Sequence, residues 1–253
     1  MSTATTIADA RAMSHRSLLR AWREPDAFFM ALFLPVVLIV LFVYVFGGAM
    51  DTGVAYENYV VPGLIVLCAG YGAGSTAISL AHDLDAGVID RFRSMPISAG
   101  SVIVGHVVAS VARNVVATTL VIAVGLLVGW RPTGGPLAWL AAVGLILLFI
   151  VAVSWLCAAL GLLVKTPEAA TSVAIIPLFL PYLSTAFVPA ETLPAVLRGF
   201  AEHQPYTPVI ETLRGLWMGT PLDSHPWWAI GWCLVTLAVA AVAGARLFAR
   251  RVG

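Results

Sequence analysis

The run LAAVGLILLFIVAV at 140–153 carries no charge and no side-chain hydrogen-bonding group, and it sits within an uncharged stretch that reaches from 137 to 164. A segment of that length and polarity is solvated by hydrocarbon, because a bilayer core about 30 Å thick takes about 20 apolar residues to cross as a helix. Five further apolar runs lie at about 27–48, 59–81, 102–129, 170–189 and 227–248. A spanning barrel would show short segments of alternating polarity instead of unbroken runs. The expected fold class is therefore all-α and integral to the membrane, with six transmembrane helices.

Composition agrees and sets limits. Of 253 residues, 60% are apolar and 11% charged, against about 25% charged in an ordinary soluble domain. With about 30 to 45 residues for each crossing and its connection, no length remains for a large soluble domain, so one transmembrane domain over 1–253 is expected. The net charge is +1 and the 14 Lys and Arg form no stripe, which argues against a nucleic-acid partner. Cys68, Cys157 and Cys233 each lie inside an apolar run, far apart, in neither a disulfide nor a metal spacing.

Basic residues orient the chain. With the N-terminus in the cytoplasm, ten of the fourteen fall on the inner side and only Arg131, Arg198 and Arg214 on the outer side; the rule that short cytoplasmic loops are rich in Lys and Arg then places both termini inside. Trp130, Trp139, Trp217, Trp227 and Trp228 stand beside the outer boundaries, where an aromatic belt is expected. Residues 1–25 carry Arg11, Arg16, Arg20 and Arg23 between apolar positions at helical spacing, the pattern of an interfacial amphipathic helix. No apolar region and cleavage site close to Met1 mark a signal peptide.

Motifs for chemistry are scarce. GLLVKT at 161–166 approaches a phosphate loop but has Val164 where glycine must precede Lys165. Ser75 and His82 make the one loose Ser and His pair, and the carboxylates lie at the ends of runs or in loops, so no catalytic residues and no metal site are expected. In the inner connection HDLDAGVIDRFRSMPIS at 82–98, Leu84, Val88 and Phe92 recur every four residues with Met95 beside them, while Asp85, Asp90 and Arg91 take other faces. That is a short amphipathic helix stopped by Pro96, suited either to the membrane surface or to a groove on a soluble partner.

These features together resemble the permease subunits of type-2 ABC exporters, most closely the daunorubicin-resistance-like bacterial branch. The resemblance is carried by the Arg-rich N-terminus, the six runs, the loop with Gly87, Asp90, Arg91 and Pro96, and the stretch KTPEAATS…FLPYLSTAFVPAETLP…FAEHQPYTPVIETLRGLW between Lys165 and Trp217. It implies a half-exporter that pairs with a second copy or a paralogue in a bacterial plasma membrane and engages two cytoplasmic ATPase subunits. ATP and Mg would be bound by those subunits, and this chain would bind no cofactor. It also implies a coupling helix at 84–96, with Leu84, Asp85, Gly87, Val88, Asp90, Arg91, Phe92, Met95 and Pro96 facing the ATPase. Asp83 or Asp85 stands where that family's pattern has glutamate. An outer re-entrant segment is implied at 189–217, with Pro189, Pro205, Tyr206, Thr207, Pro208, Glu211 and Arg214 near the exit. The cargo class is an amphipathic or hydrophobic compound, drug-, lipid- or polyketide-like, with a lipid-linked glycan as the alternative. A membrane enzyme or a scaffold working without ATP is the competing class.

Three residue-level expectations remain. Pro205 and Pro208 should break the outer segment into two half-helices around Tyr206 and Thr207. Arg113 and Asn114, about twelve residues into the third run, are candidate pathway residues, unless that helix extends into the cytoplasm and Arg113 snorkels at the inner interface. Gly70, Gly74, Ala77 and Ala81 form a small-residue stripe fit for close helix contact, within the chain or between copies.

Overall fold

The computed structural model describes residues 11–19, 25–50, 52–87, 99–164 and 166–252, and its regular structure is entirely helical. Helix α1 covers 11–19. Helix α2 runs Pro25–Val40 and continues as a π-helical segment, Leu41–Phe46. Then come α3 (Tyr56–Asp85), α4 (Ala99–Leu127), α5 (Pro136–Leu163) and α6 (Pro167–Phe179), the last extended by a 3-10 turn, Leu180–Leu183. A second 3-10 turn, Ala190–Thr192, leads into the short helices α7 (Ala195–His203) and α8 (Tyr206–Met218), and α9 (His225–Val252) closes the chain.

Among the described residues, four helices, α3, α4, α5 and α9, are long and apolar enough to cross a membrane, whereas α2 and α6 are shorter. The shortening of α6 has a local cause. Pro177 and Pro181 each remove a backbone donor, so the ladder tightens to 3-10 geometry and stops at Ser184. Its start is set by Thr166, whose hydroxyl accepts the Ala169 N–H at 3.2 Å, with Pro167 in the first turn.

Helix α3 is the axis of the bundle: 72% of its most apolar stretch is buried, against 22% for α9 on the periphery. Its small-residue stripe packs within the chain. A Cβ on Gly70 would come within 3.0 Å of the Pro177 carbonyl and one on Gly74 within 3.3 Å of the Ala174 carbonyl, so α3 and α6 meet backbone to backbone. From the other side, α5 brings Gly161 against Ala77.

Met13, Leu80, Ile103, Leu162 and Phe248 share one buried cluster. The N-terminal helix, the end of α3, the start of α4 and the end of α9 therefore gather at one end of the bundle, here termed the near end. At the far end, Thr133 and Gly134 donate backbone N–H groups to the Trp217 carbonyl at 2.8 and 3.1 Å. Trp130 and Trp217 do not belong to the expected belt: both are wholly buried, stacked edge to face at 5.0 Å with Trp139 against them. Trp227 and Trp228 are exposed, as a belt requires.

Candidate functional site

Between Phe179 and Ala195 the chain runs through two 3-10 turns with no α-helix, and its buried carbonyls need donors from elsewhere. Tyr206 donates its hydroxyl to the Pro177 carbonyl at 3.0 Å, Gln204 Nε2 to Leu180 at 3.3 Å, and Ser184 to Pro181 at 2.5 Å. Tyr59 and Tyr56, at the start of α3, donate to the carbonyls of Thr185 at 3.0 Å and Phe187 at 3.3 Å.

Arg214 is the hub of this arrangement and is 4% exposed. Its Nε donates to the Tyr59 carbonyl at 3.0 Å, and its Nη2 to the Thr185 and Ala186 carbonyls at 2.8 and 3.3 Å. Nη1 pairs with Glu211 Oε1 at 2.7 Å, while the guanidinium stacks 3.6 Å above the Tyr59 ring. A planar fork with five donors on three nitrogens is suited to these spread acceptors, whereas a lysine's three donors all sit on one nitrogen. Glu211 also accepts the Thr185 hydroxyl at 2.5 Å. α8 is thereby fastened to α3 and to the 184–187 turn.

The segment is broken into two helices, but the two prolines act differently from expectation. The break falls at Gln204 and Pro205, and Pro208 lies in the first turn of α8, where a missing N–H has no helical partner to lose. Thr207 secures the junction by donating to the Ala201 carbonyl at 2.5 Å. α8 ends at Gly219, whose positive φ of 75° supplies the left-handed cap.

A cavity of about 700 Å³ opens beside this hub, walled by Tyr59, Trp228 and Trp232 and by the carboxylates of Glu191, Glu202 and Glu211. Pro189, Thr207, Pro208 and Arg214 also line it. On its rim Arg198 pairs with Glu202 at 2.9 Å, and that hydrogen bond and charge raise the Arg198 pKa above its ordinary value. The arrangement combines aromatic and apolar surface with acidic groups, which suits an amphipathic guest.

At the near end, Leu84 and Asp85 form the last turn of α3, and Gly87, with φ 64°, lies just past it. Val88, Asp90, Arg91, Phe92, Met95 and Pro96 lie outside the described residues. Asp83 is turned inward, 3% exposed, with Arg16 at 3.6 Å and His106 at 3.3 Å. In the middle of the bundle, Arg113 is about 21 Å along α4 from its first residue and donates to Ser75 at 3.1 Å. Asn114 beside it is buried. Ser75 thus faces Arg113, and His82 is exposed.

Sequence reasoning identified Tyr206, Thr207, Glu211 and Arg214 but missed Tyr59, Tyr56 and Thr185, which complete the hub. Tyr59 and Arg214 are 155 residues apart, and a tyrosine at the head of an apolar run looks like any belt residue. Removing one of these hydroxyls is informative. Tyr206→Phe should lower stability by about 1 kcal/mol, since side-chain hydrogen bonds in membrane proteins average about 0.6 and reach about 1.7 kcal/mol; a thermal-unfolding series in detergent measures it.

Comparison with known proteins fits this architecture. The family described as ABC-2 type transporter matches residues 9–218. The daunorubicin resistance ABC transporter permease protein DrrB1 of Streptomyces coeruleorubidus is 33% identical over 189 residues, covering 74% of this chain and 67% of the relative. The probable doxorubicin resistance ABC transporter permease protein DrrC of Mycobacterium tuberculosis is 24% identical over 239 residues, covering 90% and 85%. A bundle of apolar helices, a match over most of its length and relatives that are themselves transport permeases lead to one assignment: the chain belongs to the ABC-2 type transporter family, in its daunorubicin-resistance-like permease branch.

Proposed function

We propose that this chain is the permease subunit of an ATP-driven exporter that moves an amphipathic or hydrophobic compound, drug-, lipid- or polyketide-like, out of the cytoplasm or inner leaflet of a bacterial plasma membrane. The observation that carries this reading is the far-end cavity of about 700 Å³, with Trp228, Trp232 and three carboxylates among the residues that line it. In the proposal α2 and α6 complete six crossings, α7 and α8 re-enter from the outer face, and the near end is cytoplasmic. The shared cluster of Met13 and Phe248 supports an even number of crossings, and the ten-to-three division of basic residues supports the orientation.

Two such chains, or this chain and a paralogue, would each engage a separate ATPase subunit holding ATP and Mg. Residues 84–96, from Leu84 to Pro96, would form the docking element, entering the ATPase through the apolar stripe of Leu84, Val88 and Phe92. Closure of the ATPases would then move α3 and α4 as packed elements, shifting exposure from the inner to the outer side.

A tagged chain drawn gently from its native membrane should bring an ATPase subunit with it in stoichiometric amount. Phe92→Asp should reduce permease-stimulated ATP hydrolysis to the rate of the ATPase alone while leaving membrane insertion intact. Normal stimulation would remove the proposed contact. Reproducible recovery of the chain without an ATPase would overturn the exporter reading.

A further inference from the structure

Helix α4 carries His106, Ser110, Asn114 and Thr118 at four-residue intervals, and all four are buried. That spacing keeps them on one face, over about 18 Å at 1.5 Å per residue. α3 faces the stripe with Asp83 near His106 at 3.3 Å and with Gly72, whose missing side chain makes room for the Asn114 amide. α5 adds Ser154, 2.9 Å from the Ser110 hydroxyl, and Asn114 Nδ2 donates to Ser110 at 3.4 Å. An apolar seam would pack three such helices equally well, so a polar one calls for a physical reason.

Its hydrogen bonding is incomplete. Among the described residues, His106 Nε2, Asn114 Oδ1, Thr118 Oγ1 and, on α3, Thr76 Oγ1 are buried without a hydrogen-bond partner. His106 Nε2 lies near Asp83 but outside hydrogen-bond geometry. Buried polar atoms left this way are rare, and ordered water is their usual partner. One edge of the seam is less enclosed. Gly72, Ser75 and Arg113 are half-buried along one edge, with Arg113 bonded to Ser75.

We propose that the α3–α4 seam binds a file of water molecules, entered from the Gly72–Ser75–Arg113 edge, that bridges Thr76, Asn114 and Thr118 and reaches the Asp83–His106 pair.

The sequence supplies its own control, because its two asparagines are Asn58 and Asn114. Asn58 is half-buried at the far end, where its Oδ1 accepts the Arg131 N–H at 3.0 Å. The full chain, labelled with 15N-asparagine and reconstituted in phosphatidylcholine bilayers, is examined by solid-state NMR with magnetisation transferred from water protons. The Asn114 side-chain signal should rise within about threefold of the Asn58 rate if bound water touches it; a slower rise overturns the proposal. Thr76→Val and Thr118→Val keep side-chain shape and remove one water partner each. Each should lower the transfer to Asn114 by about half, and transfer unchanged in both variants would also overturn a continuous file. The wild-type comparison depends on neither variant folding.

Discussion

Arg214→Ala should destabilise the chain by about 4 kcal/mol, because it leaves buried acceptors without their donor and an acidic neighbour without its counter-charge. The acceptors are the carbonyls of Tyr59, Thr185 and Ala186, and the neighbour is Glu211. Glu211 retains the Thr185 hydroxyl and faces the cavity, which keeps the loss below that of a fully enclosed ion pair. Arg214→Lys should recover little, since a lysine ammonium cannot reach three carbonyls in the plane of a fork. Unfolding followed in detergent by tryptophan fluorescence is a suitable readout, with Trp217 in the same helix as the lost clamp. If Arg214 instead contacts cargo, Arg214→Ala will retain normal assembly and thermal stability and alter only selectivity in transport. The geometry favours loss of stability, because the guanidinium spends its hydrogen bonds on Tyr59, Thr185, Ala186 and Glu211 within the protein.

What the sequence made legible is unequal for physical reasons. The long apolar helices followed from hydropathy because a bilayer imposes the same requirement on every residue of a span, and the ends of α3, α4, α5 and α9 fall within about four residues of the runs. α6 was harder. Its run at 170–189 is uncharged throughout, but Pro177 and Pro181 divide it, and carbonyls freed by the break accept hydrogen bonds from Tyr206 and Gln204. Long-range satisfaction of a broken backbone has no local signature. The same holds for Trp130 and Trp217, which look like belt residues by position yet form a buried aromatic cluster. Arg214 could be singled out as a charge among apolar neighbours, whereas its partners are mostly backbone carbonyls, which carry no letter in the sequence. Asp83 was legible as an acidic residue ahead of the loop glycine, but its use within the chain, against Arg16 and His106, depends on how α1 returns to the bundle.

Gly63→Val should destabilise by about 3 kcal/mol, from overpacking of about 1–3 kcal/mol together with hydrogen bonds of about 0.6 kcal/mol each that the clash breaks. A Cβ at this position would lie 2.7 Å from the Ala186 carbonyl oxygen and 2.9 Å from the Ala186 Cα, both backbone atoms that cannot rotate away. The 184–187 turn must then retreat from α3, and in doing so it leaves the hydroxyls of Tyr56 and Tyr59 and the Nη2 of Arg214. Gly199 provides the contrast. It lies inside α7 with open space where a Cβ would stand, so Gly199→Ala should be neutral or stabilise by up to about 1 kcal/mol through helix propensity. At about 2–4 °C per kcal/mol for a chain of this size, the two variants should separate by at least about 6 °C in unfolding midpoint. Combining Gly63→Val with Arg214→Ala tests whether they act on one element: once the turn has been released by one change, the second has less to break. The double variant should then be more stable than the sum of the single losses by about 1–3 kcal/mol. Strict additivity would mean that Gly63 supports helix packing alone and that the far-end cavity is held by Arg214 without help from the close approach of α3.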